Sequence, residues 1–516
     1  MQTGKTKAEI FTSREMRALE VNAEYYGFSL LQLMENAGRN VALDVASRFP
    51  ITQKIAIFCG LGGNGGDGFV AARHLLSMGY TVSIILAGKG GNITHEAAAK
   101  NWHILQFLRE KIPLYEVSDS SLMPDVRADV IVDALLGTGT KGSLRSPITK
   151  FVDYINSLNG FKIAVDVPTG IDSDSGEVLG EAVKADATLT FHKDKAGLKN
   201  AKKYIGELVV KDIGLPKELE IYAGPGDVLL VRKARPSTAH KGDFGRLLVV
   251  GGSEVFSGAP ALVGLAALRT GVDMVYVAAP EKTALAISSI SPNLITVKLD
   301  GKHVKPGNLE TLEEYVKAVD AIVLGPGLGL HQSTKEFVKE FVSTCEEAGK
   351  PLLLDADGLK AYAEIGKALR VPVVFTPHFG EYLILTGDEL PQKLKARVLE
   401  VQRNADKFNA VILLKGETDL ICDSKRIKLN FTGNPGMTVG GTGDVLSGIA
   451  GAMLAQKVEP FEAAVAAAFV NGAAGDFAAQ RMGYHMMATD LLDWIPQVLN
   501  DPMCHSKVRR IGGKTS

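Results

Sequence analysis

The feature that most constrains this chain is a recurring unit: a short apolar run, a turn carrying glycine or aspartate, then a stretch with helical spacing. In the first half, residues 54–59, 80–87, 128–136 and 161–167 read as strands. In the second half the pattern restarts at 246–250 and continues at 274–278, 321–324, 351–354, 372–375 and 410–414. Most of these runs are apolar throughout rather than alternating, as strands buried on both faces must be. Strand, turn and helix in alternation imply layered α/β units with mainly parallel sheets. Thr12 with Glu15 three residues later reads as a capping box. Apolar residues at 16, 19 and 21, then at 30, 33, 34 and 37, continue as helix. Residues 260–270 read as a helix closed by Gly271.

A chain of 516 residues exceeds one ordinary core, so at least two domains are expected. The alternation weakens between Lys211 and Arg235, around Pro216 and Gly224-Pro225-Gly226, and the join is placed there. The expected domains are 1–222 and 223–505, with a basic, glycine-containing tail at 506–516. Net charge is -1, which gives no global field for nucleic acid or a membrane surface. The most apolar stretch, 461–477, is too short and too polar to span a bilayer and reads as a buried helix. Residues 1–9 lack the apolar core of a signal peptide. The four cysteines, Cys59, Cys345, Cys422 and Cys504, show no metal spacing and read as free thiols of a cytoplasmic protein.

Three polar clusters fall at strand ends in the first half. Gly60-Leu-Gly-Gly-Asn-Gly-Gly-Asp-Gly68 follows a strand and opens a helix, a context in which free amides and the helix dipole favour an anion. It lacks the Gly-Lys-Ser/Thr of a Walker A loop, and no acidic residue ends the second strand, where a dinucleotide fold would hold a ribose. Asp133-Ala-Leu-Leu-Gly-Thr-Gly-Thr-Lys-Gly142 and Asp166-Val-Pro-Thr-Gly-Ile-Asp172 are the others. Asp133 and Asp166 alone could be ordinary loop-capping carboxylates. Three polar loops at one sheet edge point to a ligand site instead.

In the second half the strongest signal is Asn434-Pro-Gly-Met-Thr-Val-Gly-Gly-Thr-Gly-Asp-Val-Leu-Ser-Gly448. A glycine-rich turn meets a helix near Asp444, bringing several amides and a carboxylate to one anion. That suits attack of a hydroxyl on a terminal phosphoryl group, with Asp444 as base. Lys241-Gly-Asp-Phe-Gly245, Gly325-Pro-Gly-Leu-Gly329, Leu354-Asp-Ala-Asp-Gly358, Thr376-Pro-His378 and Lys415-Gly-Glu-Thr-Asp419 accompany it.

On these motifs the chain resembles the NAD(P)H-hydrate repair family. Residues 10–215 are similar to its epimerase domain, Leu33-Met-Glu-Asn-Ala-Gly38 included, and about 226–500 to its dehydratase domain. The resemblance implies a Rossmann-like three-layer first domain and a ribokinase-like second. It implies potassium held by Asn64, Asp133 and Thr169. It implies substrate contacts from Gly63, Asn64, Gly65, Gly66 and Asp67, and from Gly137, Thr138, Gly139, Thr140, Lys141, Gly142 and Ser143. Asp166 becomes the acid/base of epimerisation. In the second domain Lys415, Gly416, Glu417, Thr418, Asp419 and Gly443 would bind ADP or ATP, with magnesium on its phosphates. Asp444, His378, Gly327 and Ala259 would contact the hydrated cofactor. Two positions depart from the family pattern: Gly63 stands for an asparagine and Thr169 for a serine, which keeps the hydroxyl.

The implied partners are the hydrates NADHX and NADPHX with ADP or ATP, and further copies of the chain in a homo-oligomer. Phosphorylation of the C6 hydroxyl and loss of phosphate would return NAD(P)H from the S epimer, while the first domain interconverts R and S. Other classes remain open. The Gly-Gly-Thr-Gly-Asp signature also serves small-molecule kinases, with the first domain as a non-catalytic binding module; an NAD-dependent dehydrogenase is opposed by the missing ribose acid.

Overall fold

Helix and strand start where the local signals put them. Thr12 N donates to Glu15 Oε2 at 2.7 Å and Glu15 N to Thr12 Oγ1 at 3.2 Å, closing the capping box on helix Ser13–Tyr25. Helix Gly258–Thr270 ends at Gly271, whose φ of 102° is the left-handed cap a glycine accepts at no steric cost. The structure is a computed structural model that describes residues 10–119 and 122–508. The stretch at 1–9 read as lacking a signal-peptide core, and 509–516 of the expected tail, lie outside the described residues.

The chain divides into two compact units, Met1–Lys217 and Glu218–Ser516. The first carries strands β1 (Ile10–Phe11), β2 (Lys54–Cys59), β3 (Thr81–Leu86), β4 (Leu114–Glu116), β5 (Val130–Ala134), β6 (Phe161–Val165), β7 (Ala187–Phe191), β8 (Asp194–Lys195) and β9 (Glu207–Lys211). Seven form a parallel sheet in the order β4-β3-β2-β5-β6-β7-β9, while β1 pairs with β8. Chain order reverses between β2 and β5, so the carboxyl ends of those strands open a crevice of the kind that binds ligands in such sheets.

The second unit carries β10 (Arg246–Val250), β11 (Met274–Pro280), β12 (Ile295–Leu299), β13 (Ala321–Leu324), β14 (Leu352–Leu354), β15 (Val373–Phe375), β16 (Val411–Leu414), β17 (Asp419–Cys422) and β18 (Ile427–Asn430). Their order is β12-β11-β10-β13-β14-β15-β16-β17-β18, parallel except for the antiparallel β16-β17-β18 edge. Here the reversal lies between β10 and β13. Helix Pro460–Met482 is buried along most of its length, as the Ala-rich stretch requires. Among the described residues no helix is long and apolar enough to cross a membrane.

Two local readings change. The glycine-rich stretch after β2 is a loop only to Gly62, because helix Gly63–Ser77 begins there. A Cβ on Gly65 would lie 1.9 Å from Gly60 O, and one on Gly68 2.7 Å from Cys59 Sγ and 2.8 Å from Ala134 Cβ. These glycines let the helix lie directly on β2 and β5. The stretch at 224–226, read as a break, starts helix Pro225–Val231, with Pro at its first position and Gly224 N donating to Asp227 Oδ2 at 2.8 Å. Seven residues are too few to show helical periodicity in sequence.

Gly448, where helix Thr442–Ala455 crosses Gly258–Thr270, gives a test of this packing. A Cβ there would sit 2.3 Å from Val263 O and 2.7 Å from Ala266 Cβ. Gly448→Ala is expected to cost about 1–3 kcal/mol, read as a lower denaturant midpoint at unchanged slope.

Candidate active sites

In the first unit Asp166 sits one residue beyond β6 with φ 65°, a left-handed conformation in which Asp is tolerated better than most residues. Its amide donates to Leu189 O at 2.7 Å, which locks that turn onto β7. Its carboxylate meets Lys195 Nζ at 3.1 Å through Oδ1 and accepts Thr138 N at 3.3 Å through Oδ2. Lys195 is 1% exposed, and its remaining N–H groups are shared among Thr190 Oγ1, Phe191 O and Lys193 O at 3.1, 2.9 and 3.1 Å. A buried cation is therefore fully paired, as burial demands.

Around this pair stand further carboxylates. Glu20 is pushed up to about 7 by burial and then by the charge of Asp166, with Lys195 pulling the other way. Asp67 is also raised, by burial and by Asp166 and Glu20. Asp133 is pushed up to about 6 by burial, against hydrogen bonds from Thr169 N (2.8 Å), Thr169 Oγ1 (2.7 Å) and Leu135 N (3.2 Å). Asn64 lies beside Gly137 and Asp166: a Cβ on Gly137 would be 3.4 Å from Asn64 Oδ1 and 3.2 Å from Asp166 Oδ2. Both polar atoms of Asn64 are buried with no hydrogen-bond partner.

The loop after β5 brings Gly137 and Thr138 to Asp166, while Gly139, Lys141, Gly142 and Ser143 turn into solvent. Thr140 Oγ1 closes the turn on Gly137 O at 3.1 Å. Lys141 is tied to Asp174 at 2.7 Å and Asp172 at 3.3 Å. Gly62 caps helix Gly63–Ser77 without a side-chain hydrogen bond, which leaves the first amides, Gly63 to Gly65, without helical acceptors. Gly66 N is spent on Gly62 O, and a Cβ on Gly66 would meet Met34 and Ala98.

In the second unit the residues converge more tightly. Gly441 caps helix Thr442–Ala455 at φ 100°, with Leu262 and Ala488 against its missing Cβ. A Cβ on Gly443 would face Lys415 Nζ at 3.4 Å, so helix amides and an ammonium share one space. Lys415 donates to Asp355 Oδ1 at 3.0 Å and lies 3.7 Å from Glu381 Oε2. Burial works against its charge, and Asp355 and Glu381 more than restore it, so its pKa is raised. Asp355 is 2% exposed and accepts Ser447 Oγ at 2.6 Å through its second oxygen. Asp444, in the first turn of the helix, is pushed up to about 7 by burial, then by the charges of Asp355 and Glu381, against Lys415.

His378 caps helix Phe379–Thr386, its Nδ1 accepting Gly380 N at 2.9 Å and Glu381 N at 3.3 Å. The proton therefore sits on Nε2, at the exposed end of the ring. Gly327, at φ 69°, has Phe256 Cβ and Ala259 Cβ 3.0 and 3.5 Å from its missing Cβ, so Gly327 and Ala259 meet. Gly416, Glu417 and Thr418 turn from β16 into β17. Asp419 is pushed up to about 6 by burial and holds that turn through Gly416 N (3.1 Å) and Asn430 Nδ2 (3.0 Å). Lys241–Gly245 lies before β10, at the opposite sheet edge: Gly242 N and Phe244 N bond Asp273, which precedes β11.

Sequence reasoning misses Glu20, Thr190 and Lys195 in the first unit and Glu381 and Ser447 in the second. Thr190 belongs to β7, whose Ala-Thr-Leu-Thr-Phe pattern gives no apolar run, and Lys195 to the two-residue β8, too short to show in sequence. Asp355 was visible only as part of a strand-end segment.

These arrangements define a class: a two-unit α/β enzyme, one unit built around a lysine-paired carboxylate and the other around a carboxylate beside an amide-and-lysine anion site. Residues 247–497 match the family model described as NAD(P)H-hydrate dehydratase, and residues 30–197 that of the YjeF-related protein N-terminus. The bifunctional NAD(P)H-hydrate repair enzyme Nnr of Pyrobaculum aerophilum is 44% identical over 499 residues, 95% of this chain and 98% of that protein. The Archaeoglobus fulgidus enzyme of the same name is 46% identical over 491 residues, again 95% and 98%. A solved ADP/ATP-dependent NAD(P)H-hydrate dehydratase from Bacillus subtilis, co-crystallized with ATP/Mg2+, is 27% identical, with 54% of this chain and 98% of that chain covered at a TM-score of 0.47. The chain belongs to the bifunctional NAD(P)H-hydrate repair enzyme family.

Asp444 gives a prediction of known sign. Its folded carboxyl titrates at about 7 against an ordinary 3.8, so between those values the folded state holds a proton that the unfolded chain has released. Stability then falls as pH rises through that window. Asp444→Asn is expected to raise the thermal midpoint of the second unit at pH 8, and the gain should vanish near pH 4. Equal gains at both values would contradict the assigned environment.

Proposed function

We propose that the first unit epimerises R- and S-NAD(P)H hydrate and that the second dehydrates the S form with ADP or ATP. The observation that carries the reading is Asp444 beside Lys415 and the Gly441-capped helix. That is a base with a pKa near neutrality next to an anion site. Asp444 takes the proton of the C6 hydroxyl while its oxygen attacks the terminal phosphoryl group. Lys415 and the amides of Thr442 and Gly443 stabilise the charge that develops on the transferred group. The C6–O bond then breaks with phosphate as leaving group, a C5 proton is lost, and the dihydronicotinamide ring returns. Phosphate leaves where hydroxide would not, which is why a kinase-like site can run a dehydration. Among the described residues no three His, Cys, Asp or Glu side chains converge to hold a metal ion unaided. Magnesium is read as carried on the nucleotide phosphates.

For the first unit, Asp166 is the acid/base at C6, and the ion pair with Lys195 fixes its orientation. The unpartnered, buried Asn64 supports potassium held with Asp133 and Thr169, since that ion takes oxygen ligands of this kind. Potassium there would neutralise Asp133 and steady the loop after β5. Buried free thiols at all four cysteines fit a cytoplasmic setting.

The test uses an R/S mixture of hydrated NADH with ADP or ATP and magnesium, followed by the absorbance of reformed NADH. Wild type is expected to convert both epimers, Asp166→Ala to stop when the S fraction is spent, and Asp444→Asn to lose dehydration by at least ~10²-fold. Conversion of only the S fraction by wild type would remove the epimerase. Nucleotide consumed on a sugar or thiazole alcohol without NADH would turn the second unit into a small-molecule kinase.

A further inference from the structure

The loop that delivers Asp444 is held from behind by an acid and a histidine that touch neither proposed ligand. Asp476 lies on the buried helix Pro460–Met482. Its Oδ2 accepts Gly433 N at 3.0 Å and its Oδ1 accepts Asn434 Nδ2 at 3.0 Å. Asn434 Oδ1 in turn accepts Gly436 N at 3.0 Å and caps the short 3-10 turn Pro435–Thr438. Carbonyls of that turn and its end, Met437 O and Val439 O, accept Thr442 Oγ1 at 2.8 and 3.3 Å. Thr442 is the first residue of the helix that carries Gly443 and Asp444. One carboxylate thus fixes the entry, the turn and, through Thr442, the helix start.

The helix is shaped to come close enough for this. Cβ atoms on Gly472 and Gly475 would lie 2.2 Å from Thr432 Oγ1 and Met437 Sδ. On the far side Asp476 Oδ2 is 2.9 Å from Nε2 of His505, which is 1% exposed and set edge-on between Phe469 and Phe477. A carboxylate has no hydrogen to give, so the imidazole donates. His505 comes from the 3-10 helix Pro502–Lys507, more than sixty residues after Asp444 in the chain. A cross-link of this kind holds a loop whose own glycines cannot hold it.

We propose that Asp476 and His505 are positioning residues for the phosphoryl-transfer step, setting Asp444 and the helix amides by way of Asn434 and Thr442. The assignment rests on the proposed dehydratase function of the second unit.

The test compares His505→Gln, which keeps an N–H for Asp476, with His505→Leu, which fills the aromatic nest without one, and with Asp476→Asn. S-hydrate dehydration is measured with ADP and magnesium, and epimerisation by the same chain serves as internal control. His505→Leu and Asp476→Asn are expected to lower kcat about 10- to 100-fold, as for loss of a hydrogen bond to a charged group. KM for ADP should move less than about threefold, His505→Gln should recover most of kcat, and epimerisation should stay at the wild-type rate. A His505→Leu protein with wild-type kcat would overturn the proposal, as would KM rising in step with the loss or His505→Gln failing as badly as His505→Leu. If His505→Leu does not fold, Asp476→Asn against His505→Gln decides by the same split. A wild-type protein that does not dehydrate the hydrate at all would overturn the function and this assignment together, whereas an active wild type with indifferent variants overturns only the assignment.

Discussion

Lys415 is the constraint on which the second unit turns. Its ammonium is within ion-pair distance of Asp355 and Glu381, and its charge also bears on Asp444. Three carboxylates so close cannot all ionise without a cation among them. Asp355 has the best of the arrangement, with Lys415 on one oxygen and Ser447 on the other. Asp444 has the worst, buried and facing the charges of Asp355 and Glu381, with only the charge of Lys415 to offset them. This inequality raises the Asp444 carboxyl to about 7, as the proposed base requires, and it needs strands β14 and β16, helix Phe379–Thr386 and helix Thr442–Ala455 to meet at one sheet edge.

The first unit solves the same problem with Lys195. A parallel sheet covered on both faces leaves its carboxyl edge as the place for polar chemistry, and the switch point between β2 and β5 opens that edge. Asp166, Asp67 and Glu20 gather there, and one buried lysine partners the member that the left-handed turn after β6 aims at the crevice. The carboxylates proposed as catalytic in both units have unequal access to a single cation.

Much of this was legible in sequence. The apolar runs locate β2, β10 and β13 to the residue, since strands buried on both faces need unbroken apolar stretches. Asp133, Asp166 and Asp444 stand out because they follow such runs or a glycine turn. What escaped is what depends on distant chain. β7 and β9 carry alternating or polar residues, and β17 and β18 form an antiparallel edge that breaks the expected rhythm. The glycines at 66 and 68 also allow close packing against Met34, Ala98, Cys59 and Ala134, which sequence alone does not show. Lys195, Glu381 and His505 have no local signature at all; only the fold shows which charges they meet.

The most direct measurement of the account is kcat/KM for dehydration of the S hydrate as a function of pH from 5 to 9, since that ratio reports ionisation in the free enzyme. If Asp444 is the base and its neighbours hold its carboxyl at about 7, the ratio should climb roughly tenfold per pH unit below that value and level off above it. A profile that is already flat at pH 5, or that only falls with rising pH, would contradict the assignment of Asp444 and the unequal sharing of Lys415.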